Sequence, residues 1–320
     1  MKTNCPILFK KSFFFTLAIG SILSLALFSR SVNAQDIIKM TAIPPRLEIS
    51  ADPGQAVAHQ LKVRNEGDSQ VALQVKIQDF IVTDSDGTPS PIDQDISNRW
   101  AASLWMNVSP QKIILNPGET KTLDLVAVVP QDANPGGHYA VVFYSPVDGA
   151  DIGENTASSI SPNVGSLIYF TVSGKVSEDA RITKMTIPGF QEYGPIKIDT
   201  EILNLSDIHV RPQGVIRIYN MLGGLRTTIA LEEKNIFPGV SRLFENTWNQ
   251  KWGLGKYKAT LEAGYGTQGG VLAASVFFWI IPWRIITIAI LVIVLTALLV
   301  TYFKKGNKDQ IIEKEPESSK

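Results

Sequence analysis

The chain has 320 residues, of which 44% are hydrophobic and 19% charged, and its 30 basic and 30 acidic residues cancel. A neutral chain is unlike a uniformly basic nucleic-acid binder, and we expect no nucleic acid among its partners. Its single cysteine is Cys5, which excludes a disulfide framework or a cysteine metal site within the chain. With only three histidines as well, we expect no metal site and no cofactor.

The first 34 residues predict a secretory signal peptide. Three lysines form a positive start, an uncharged apolar stretch covers 13–28, and Val32 and Ala34 are small. A signal peptidase reads small residues at these two positions, so we expect cleavage after Ala34. An uncleaved N-terminal anchor is the alternative.

Strand patterns dominate the next 250 residues or so. Apolar residues recur at every second position in 71–78, 196–202 and 257–262, as in half-buried antiparallel strands. Pro-Gly, Asp-Gly and Gly-Gly pairs punctuate these segments, and no amphipathic helix is evident before residue 282. The sequence therefore predicts an all-β fold.

The strand region also repeats itself. Three turn landmarks recur in the same order: Asn65 matches Asn204, Gly118 matches Gly239, and Tyr139 matches Tyr257. Asn sets a hairpin turn through its side chain, Gly follows Pro in a second turn, and the Gly-x-Tyr pattern resembles the tyrosine corner of immunoglobulin-like sandwiches. We expect two immunoglobulin-like β-sandwiches, over 35–178 and 179–281.

The first copy is longer because it carries an acidic segment at about 83–99. Asp84 to Gly87, with Asp93 and Asp95 behind them, resembles the start of a calcium loop. Thr88 replaces the ligand at the fifth position and Asp95 the usual Glu at the twelfth. A solvated acidic loop is the main interpretation, and calcium binding stays open.

The C-terminal part predicts one transmembrane helix over 282–303. Residues 285–303 are uncharged and would span roughly 28 Å, close to the hydrocarbon thickness of a bilayer. Trp283 and Arg284 suit one membrane interface, and Lys304 and Lys305 suit the cytoplasmic one under the positive-inside rule. We expect a single-pass cell-membrane protein with its sandwiches outside the cell. The charged tail, 304–320, is expected to be disordered and cytoplasmic.

Segments 41–49, 116–120 and 135–141 resemble the first domain of bacterial WxL-interacting surface proteins, and the layout of the whole chain is similar to theirs. The resemblance implies a first domain that binds peptidoglycan and a second domain for protein partners. Its motifs are turns and strands, so it identifies no ligand-binding residue here. Pilus-chaperone-like and major-sperm-protein-like sandwiches are looser relatives.

These observations predict a non-catalytic surface protein that holds a cell-wall component, such as a glycan, or another surface protein. No nucleophile elbow, phosphate loop or metal-binding helix signature points to an enzyme. The first sandwich carries 17 acidic and 9 basic residues, which disfavours anionic wall polymers. The alternative is an assembly factor resembling a pilus chaperone, which binds a secreted subunit by strand addition. A passive stalk is a third interpretation.

Overall fold

The computed structural model describes residues 39–92, 99–147 and 164–312, with side chains as far as Phe303. The expected signal peptide with its cleavage site at Ala34, the pair Asp93 and Asp95, and the tail beyond residue 312 lie outside the described residues. The described part contains eighteen strands, one 3₁₀ turn and one long helix. The predicted all-β fold of two sandwiches with a C-terminal apolar helix is confirmed.

The first sandwich packs two sheets face to face. Sheet order is β1-β3-β8-β6 in one and β2-β10-β9-β4-β5 in the other, where β7 also pairs with β4. The strands are β1 (Met40–Ile43), β2 (Arg46–Ala51), β3 (Ala56–Asn65), β4 (Val71–Ile81), β5 (Ser90–Ile92), β6 (Met106–Ser109), β7 (Lys112–Leu115), β8 (Thr120–Val128), β9 (Gly136–Pro146) and β10 (Val164–Val172), and the 3₁₀ turn is Ser103–Trp105.

The second sandwich has sheets of order β11-β13-β16 and β12-β18-β17-β14-β15. Its strands are β11 (Ala180–Thr186), β12 (Phe190–Gln191), β13 (Ile196–Asn204), β14 (Gln213–Asn220), β15 (Leu225–Ala230), β16 (Ser241–Trp248), β17 (Gly255–Tyr265) and β18 (Gly270–Ile280).

Both sandwiches share one topology. In each, the first strand is split between the two sheets, and its second half runs parallel to the last strand: β2 along β10, and β12 along β18. The three strands β13, β16 and β17 occupy the places of β3, β8 and β9. The first copy differs mainly between β4 and β8, where β5, β6 and β7 replace the single β15.

Strand alternation fills two separate cores. Leu61 and Leu123 face Leu73 and Phe170 across the first sandwich, and all are essentially inaccessible to solvent. In the second, Ile196, Ile198, Phe244, Leu261 and Phe278 form the equivalent layer. Because each core needs side chains from both of its sheets, each sandwich is a separate packing unit.

The asparagine landmarks make equivalent contacts. Asn65 donates from Nδ2 to the Ser69 carbonyl at 2.7 Å, and Asn204 donates from Nδ2 to the Ile208 carbonyl at 2.8 Å. The backbone N–H of Gly118 donates to the Asn65 carbonyl at 2.9 Å, and that of Gly239 to the Asn204 carbonyl at 2.8 Å. Each asparagine therefore connects its hairpin turn to a Pro-Gly turn farther along the chain, which precedes β8 in the first sandwich and β16 in the second.

The C-terminal helix α1 runs over Trp283–Ile312. Its segment Trp283–Phe303 is apolar and unburied, with a mean hydropathy of 2.8, and is long enough to cross a membrane. The helix continues beyond residue 303, where a disordered tail is expected, so Lys304 and Lys305 lie in helical backbone. Lysine is a good helix former, and extending an existing helix is easier than starting one.

Candidate functional site: the cleft between the sandwiches

Two consecutive glycines at the start of β9 let the second sandwich approach the first. Gly136 has φ +117°, and a Cβ there would lie 2.4 Å from the Asp207 carbonyl oxygen. A Cβ on Gly137 would lie 2.1 Å from the Tyr139 hydroxyl. The Gly137 N–H instead donates to the Asp207 carbonyl at 2.9 Å. Only glycine at both positions permits this backbone contact between the sandwiches.

Tyr139 joins the sandwiches directly. Its hydroxyl accepts the His209 backbone N–H at 2.8 Å and lies 3.2 Å from His209 Nδ1. The tyrosine-corner interpretation is therefore wrong for Tyr139, because its partner belongs to the other sandwich rather than to upstream backbone. Tyr257 does contact upstream backbone, since its hydroxyl accepts the Leu254 N–H at 3.3 Å.

Burial sets the protonation states of this pair. Burial raises the pKa of Tyr139 well above its usual range, so the hydroxyl keeps its proton. Burial lowers the pKa of His209 to about 4, so its imidazole is neutral at pH 7. Tyr139 can then donate to the unprotonated Nδ1 while it accepts from the backbone, which satisfies the buried groups on both sides.

Aromatic rings surround this contact. Phe237 of the second sandwich packs edge-on against Tyr139 at 4.9 Å between centroids, Tyr169 at 5.5 Å and Phe80 at 5.6 Å. Phe237 is 5% exposed and belongs to the same cluster as Val141 on β9. An interface built from edge-to-face aromatic pairs is well packed, so the two sandwiches hold a fixed mutual position.

Ion pairs flank the aromatic cluster. Arg99 pairs with Asp207 at 2.7 Å, and Arg211 pairs with Glu48 at 2.7 Å. These side chains are partly exposed, so each pair contributes little to stability. Their geometry nevertheless favours one orientation of the second sandwich against β2.

The acidic segment also contacts the second sandwich. The Leu243 N–H on β16 donates to the Ser85 carbonyl at 2.9 Å, outside the ladder between β16 and β13. Gly87, with φ +70°, lies so close to Arg242 that a Cβ would be 2.0 Å from a guanidinium nitrogen. Asp84 accepts the Thr88 N–H at 2.9 Å, and this bond lowers the pKa of the Asp84 carboxyl. The described part of this segment therefore braces the two sandwiches together.

Beside the cluster lies an open cleft of about 640 Å³. The first sandwich lines it with Phe80, Val82, Trp100 and Tyr139, and the second with residues 237–241. The outward face of the β2-β10-β9 sheet continues the apolar surface through partly exposed Leu167 and Phe143. Aromatic and aliphatic side chains beside an equal share of polar surface suit an extended, partly apolar segment.

Sequence patterns located some of these residues but not the cleft. Tyr139 and Gly239 were expected as turn landmarks, and both line the cleft. Asn65, Asn204 and Tyr257 lie elsewhere, within their own sandwiches. Nothing in the sequence around His209 and Phe237 predicted that their side chains lie at the contact between the sandwiches. The one available sign was the Gly136–Gly137 pair, because consecutive glycines at a strand start permit close backbone approach.

No protein-family model and no curated protein sequence matches the chain. It is similar to solved structures of fimbrial chaperones. These include the class 5 fimbriae chaperone CfaA (15% identity, 76% of this chain and 100% of that chain, TM-score 0.37), the Pseudomonas aeruginosa CupB2 chaperone (12%, 75% and 100%, 0.37), and the Salmonella enterica SafA pilin in complex with the SafB chaperone (13%, 77% and 99%, 0.36). Values this low transfer neither a function nor a residue role. None of these three is a WxL-interacting protein, so that resemblance stays an expectation.

Proposed function

We propose that this chain is a non-catalytic binding protein, held in a membrane by α1, whose interdomain cleft binds an extended segment of a secreted or surface protein. The supporting observation is a cleft with aromatic side chains on both walls and a lining that is polar and apolar in equal measure, held in place by buried contacts between the sandwiches. A cleft that is already formed loses less entropy when it binds a ligand.

The chemistry of the lining favours protein over cell-wall polymer. Aromatic and aliphatic side chains dominate the first sandwich's wall, and Phe237, Pro238 and Val240 are apolar residues of the second. The first sandwich carries 17 acidic and 9 basic residues, so it repels anionic wall polymers at distances up to the screening length of roughly 10 Å. Apolar side chains of an extended peptide match this surface better.

Strand addition is the mode that the sheet edge supports. β2 is the outermost strand of its sheet and has β10 as its neighbour, which leaves its other edge unpaired within the described sheet. Arg46 on β2 stands in register with Leu167, and Leu167 with Val141, so all three lie on the outward face of the sheet, which reaches the cleft at Phe80 on β4. A peptide paired with the β2 edge would add its own alternate side chains to that surface. This is how an assembly factor would hold a subunit.

In the orientation that we propose, this cleft lies outside the cell. The apolar segment Trp283–Phe303 provides the span, with Trp283 and Arg284 at the outer interface and Lys304 and Lys305 on the cytoplasmic side. Secreted proteins emerge at this surface, so a tethered binding protein would meet them early.

Photo-crosslinking in the producing cell tests the proposal. A photoreactive amino acid replaces Phe143 on the cleft face of the full-length chain, and Val126 on β8, in the other sheet, serves as the exposed apolar control. We expect protein adducts at Phe143 and not at Val126, and we expect Leu167→Asp to abolish them. Adducts that decay during a chase indicate an assembly factor, and lasting ones a stable surface complex. Equal labelling at both sites, or labelling of wall glycan, contradicts the proposal.

A further inference from the structure

Exposed apolar side chains collect at one end of the second sandwich, opposite the cleft. The strand register places β14, β17, β18 and β12 end to end there, since Asn220 pairs with Tyr257 and Phe190 with Trp279. Strand β12 and the loops at this end carry exposed apolar residues, which we call the apolar rim: Phe190, Tyr193, Met221, Leu222, Trp252 and Leu254. Exposed apolar groups gathered in one place indicate a contact surface.

The β14–β15 hairpin turn is built without the side chains of Met221 and Leu222. Asn220 Oδ1 accepts the N–H of Leu222 at 3.1 Å and of Gly224 at 2.8 Å, and Gly223 supplies φ +79°. Asn and Gly therefore build the turn. Met221 and Leu222 are 70% and 86% exposed and project outward from it. A tip facing water would ordinarily carry polar residues at these two positions.

The apolar rim is continuous with the start of α1. Pro282 lines one groove together with Met221, Leu222 and Trp252. The Ile281 N–H donates to the Gln191 carbonyl at 2.9 Å, so the chain after β18 remains bonded to the sandwich up to the residue before Pro282. No spacer separates the sandwich from the helix, and this end of the sandwich must lie where the helix enters the bilayer.

The charges around the rim also suit a phospholipid surface. Arg226 lines the same groove, and Lys251 lies 5.5 Å from the centre of the Trp252 ring. On the adjacent sheet face, Lys256 lies 4.3 Å from the Phe277 ring centre. Cations beside aromatic rings match the membrane interface, where phosphates lie above the buried rings.

We propose that the apolar rim inserts into the headgroup region of the same phospholipid bilayer that α1 crosses, so that the second sandwich stands docked on the membrane. This rests on the proposed role of α1 as a membrane span. The hairpin tip and the Trp252–Leu254 loop act as a second contact beside the helix, which fixes the tilt of the sandwich and points the cleft away from the bilayer.

Depth measurements on the full-length chain test this docking. In a Cys5→Ser background, Leu222→Cys, Val271→Cys and Ile290→Cys are each labelled with a fluorophore and placed in nanodiscs of phosphatidylcholine and phosphatidylglycerol. Val271 is the matched control, because it is 73% exposed but lies about 30 Å from the rim along β18. Ile290 reports the span itself.

We expect a lipid-borne nitroxide to quench the Leu222 label at least about fivefold more than the Val271 label, and iodide to show the reverse order. Ile290 should be quenched by lipid alone. If Ile290 is lipid-immersed while Leu222 behaves like Val271, docking is refuted and the span stands. If Ile290 is also in water, the span fails and docking fails with it. A Leu222 label shielded from both quenchers means that a protein covers the rim, which also overturns the proposal.

Discussion

Tyr139→Phe removes one hydroxyl group and tests whether the sandwiches are locked together. The Tyr139 side chain is 2% exposed, and its oxygen lies 2.8 Å from the His209 backbone nitrogen. Without the hydroxyl, that N–H loses its partner inside the interface, at a cost of about 1–3 kcal/mol. Phe keeps the ring, so the aromatic packing around it persists. We therefore expect the interface to weaken by about 2 kcal/mol.

Hydrogen exchange of the 204–211 turn in the full-length chain measures this opening. A loss of about 2 kcal/mol raises its exchange rate roughly 30-fold, whereas the core of β3 should change little. Tyr144→Phe is the matched control, because Tyr144 is fully buried but its hydroxyl makes only a long contact of 3.5 Å to Ser166, within one sandwich. Equal acceleration in both variants, or no acceleration in Tyr139→Phe, would refute the interdomain contact.

Three further predictions concern the same framework. The folded-state pKa of His209 is about 4, against an ordinary value of 6.5. The contribution of the neutral His209 side chain to the free energy of unfolding is therefore complete above pH 6.5 and is lost as pH falls to about 4. Thermal unfolding should show an acid-sensitive loss of up to about 3 kcal/mol that His209→Gln reduces, and an unchanged pH profile would contradict it. Asn204→Ala removes three hydrogen bonds, two of them buried, and should cost about 3 kcal/mol in denaturant unfolding, against under about 0.5 kcal/mol for the exposed Asn107→Ala. Gly87→Ala should destabilise more than Gly118→Ala by about 1 kcal/mol, because both have φ near +70° but only at Gly87 would a Cβ displace the Arg242 guanidinium from the Asn235 carbonyl; equal losses would argue against the brace.

The sequence predicted the repeat because each landmark makes some of its contacts within its own turn. Asn65 and Asn204 bind backbone four residues ahead, and the Pro-Gly turns need only their own φ values, so pattern alone is informative. The expected role of Tyr139 was wrong because the tyrosine-corner pattern assumes that the hydroxyl binds backbone a few residues upstream. His209 lies 70 residues away along the chain, and nothing in either segment encodes that pairing.

The cleft and the apolar rim are two features that sequence patterns could not predict. The wall from Phe237 to Ser241 becomes part of a cleft only after two sandwiches dock, and docking depends on long-range packing. Met221 and Leu222 interrupt no strand pattern, so they look like ordinary hydrophobic residues until the structure shows that they contact little. By contrast, the apolar helix was predictable because its length and composition are contained in one continuous segment.

The direct passage from β18 into α1 has a mechanical consequence. A force applied to a partner bound in the cleft would act on the end of the second sandwich that lies farther from α1. The force would then be transmitted along β18 to α1. β18 is bonded to β17 over its whole length, from Gly270 opposite Tyr265 to Ile280 opposite Gly255. Tension along the strand would shear these bonds together rather than unzip them singly. The second sandwich should therefore stay folded at forces that dissociate the bound partner, so that release under force occurs at the cleft.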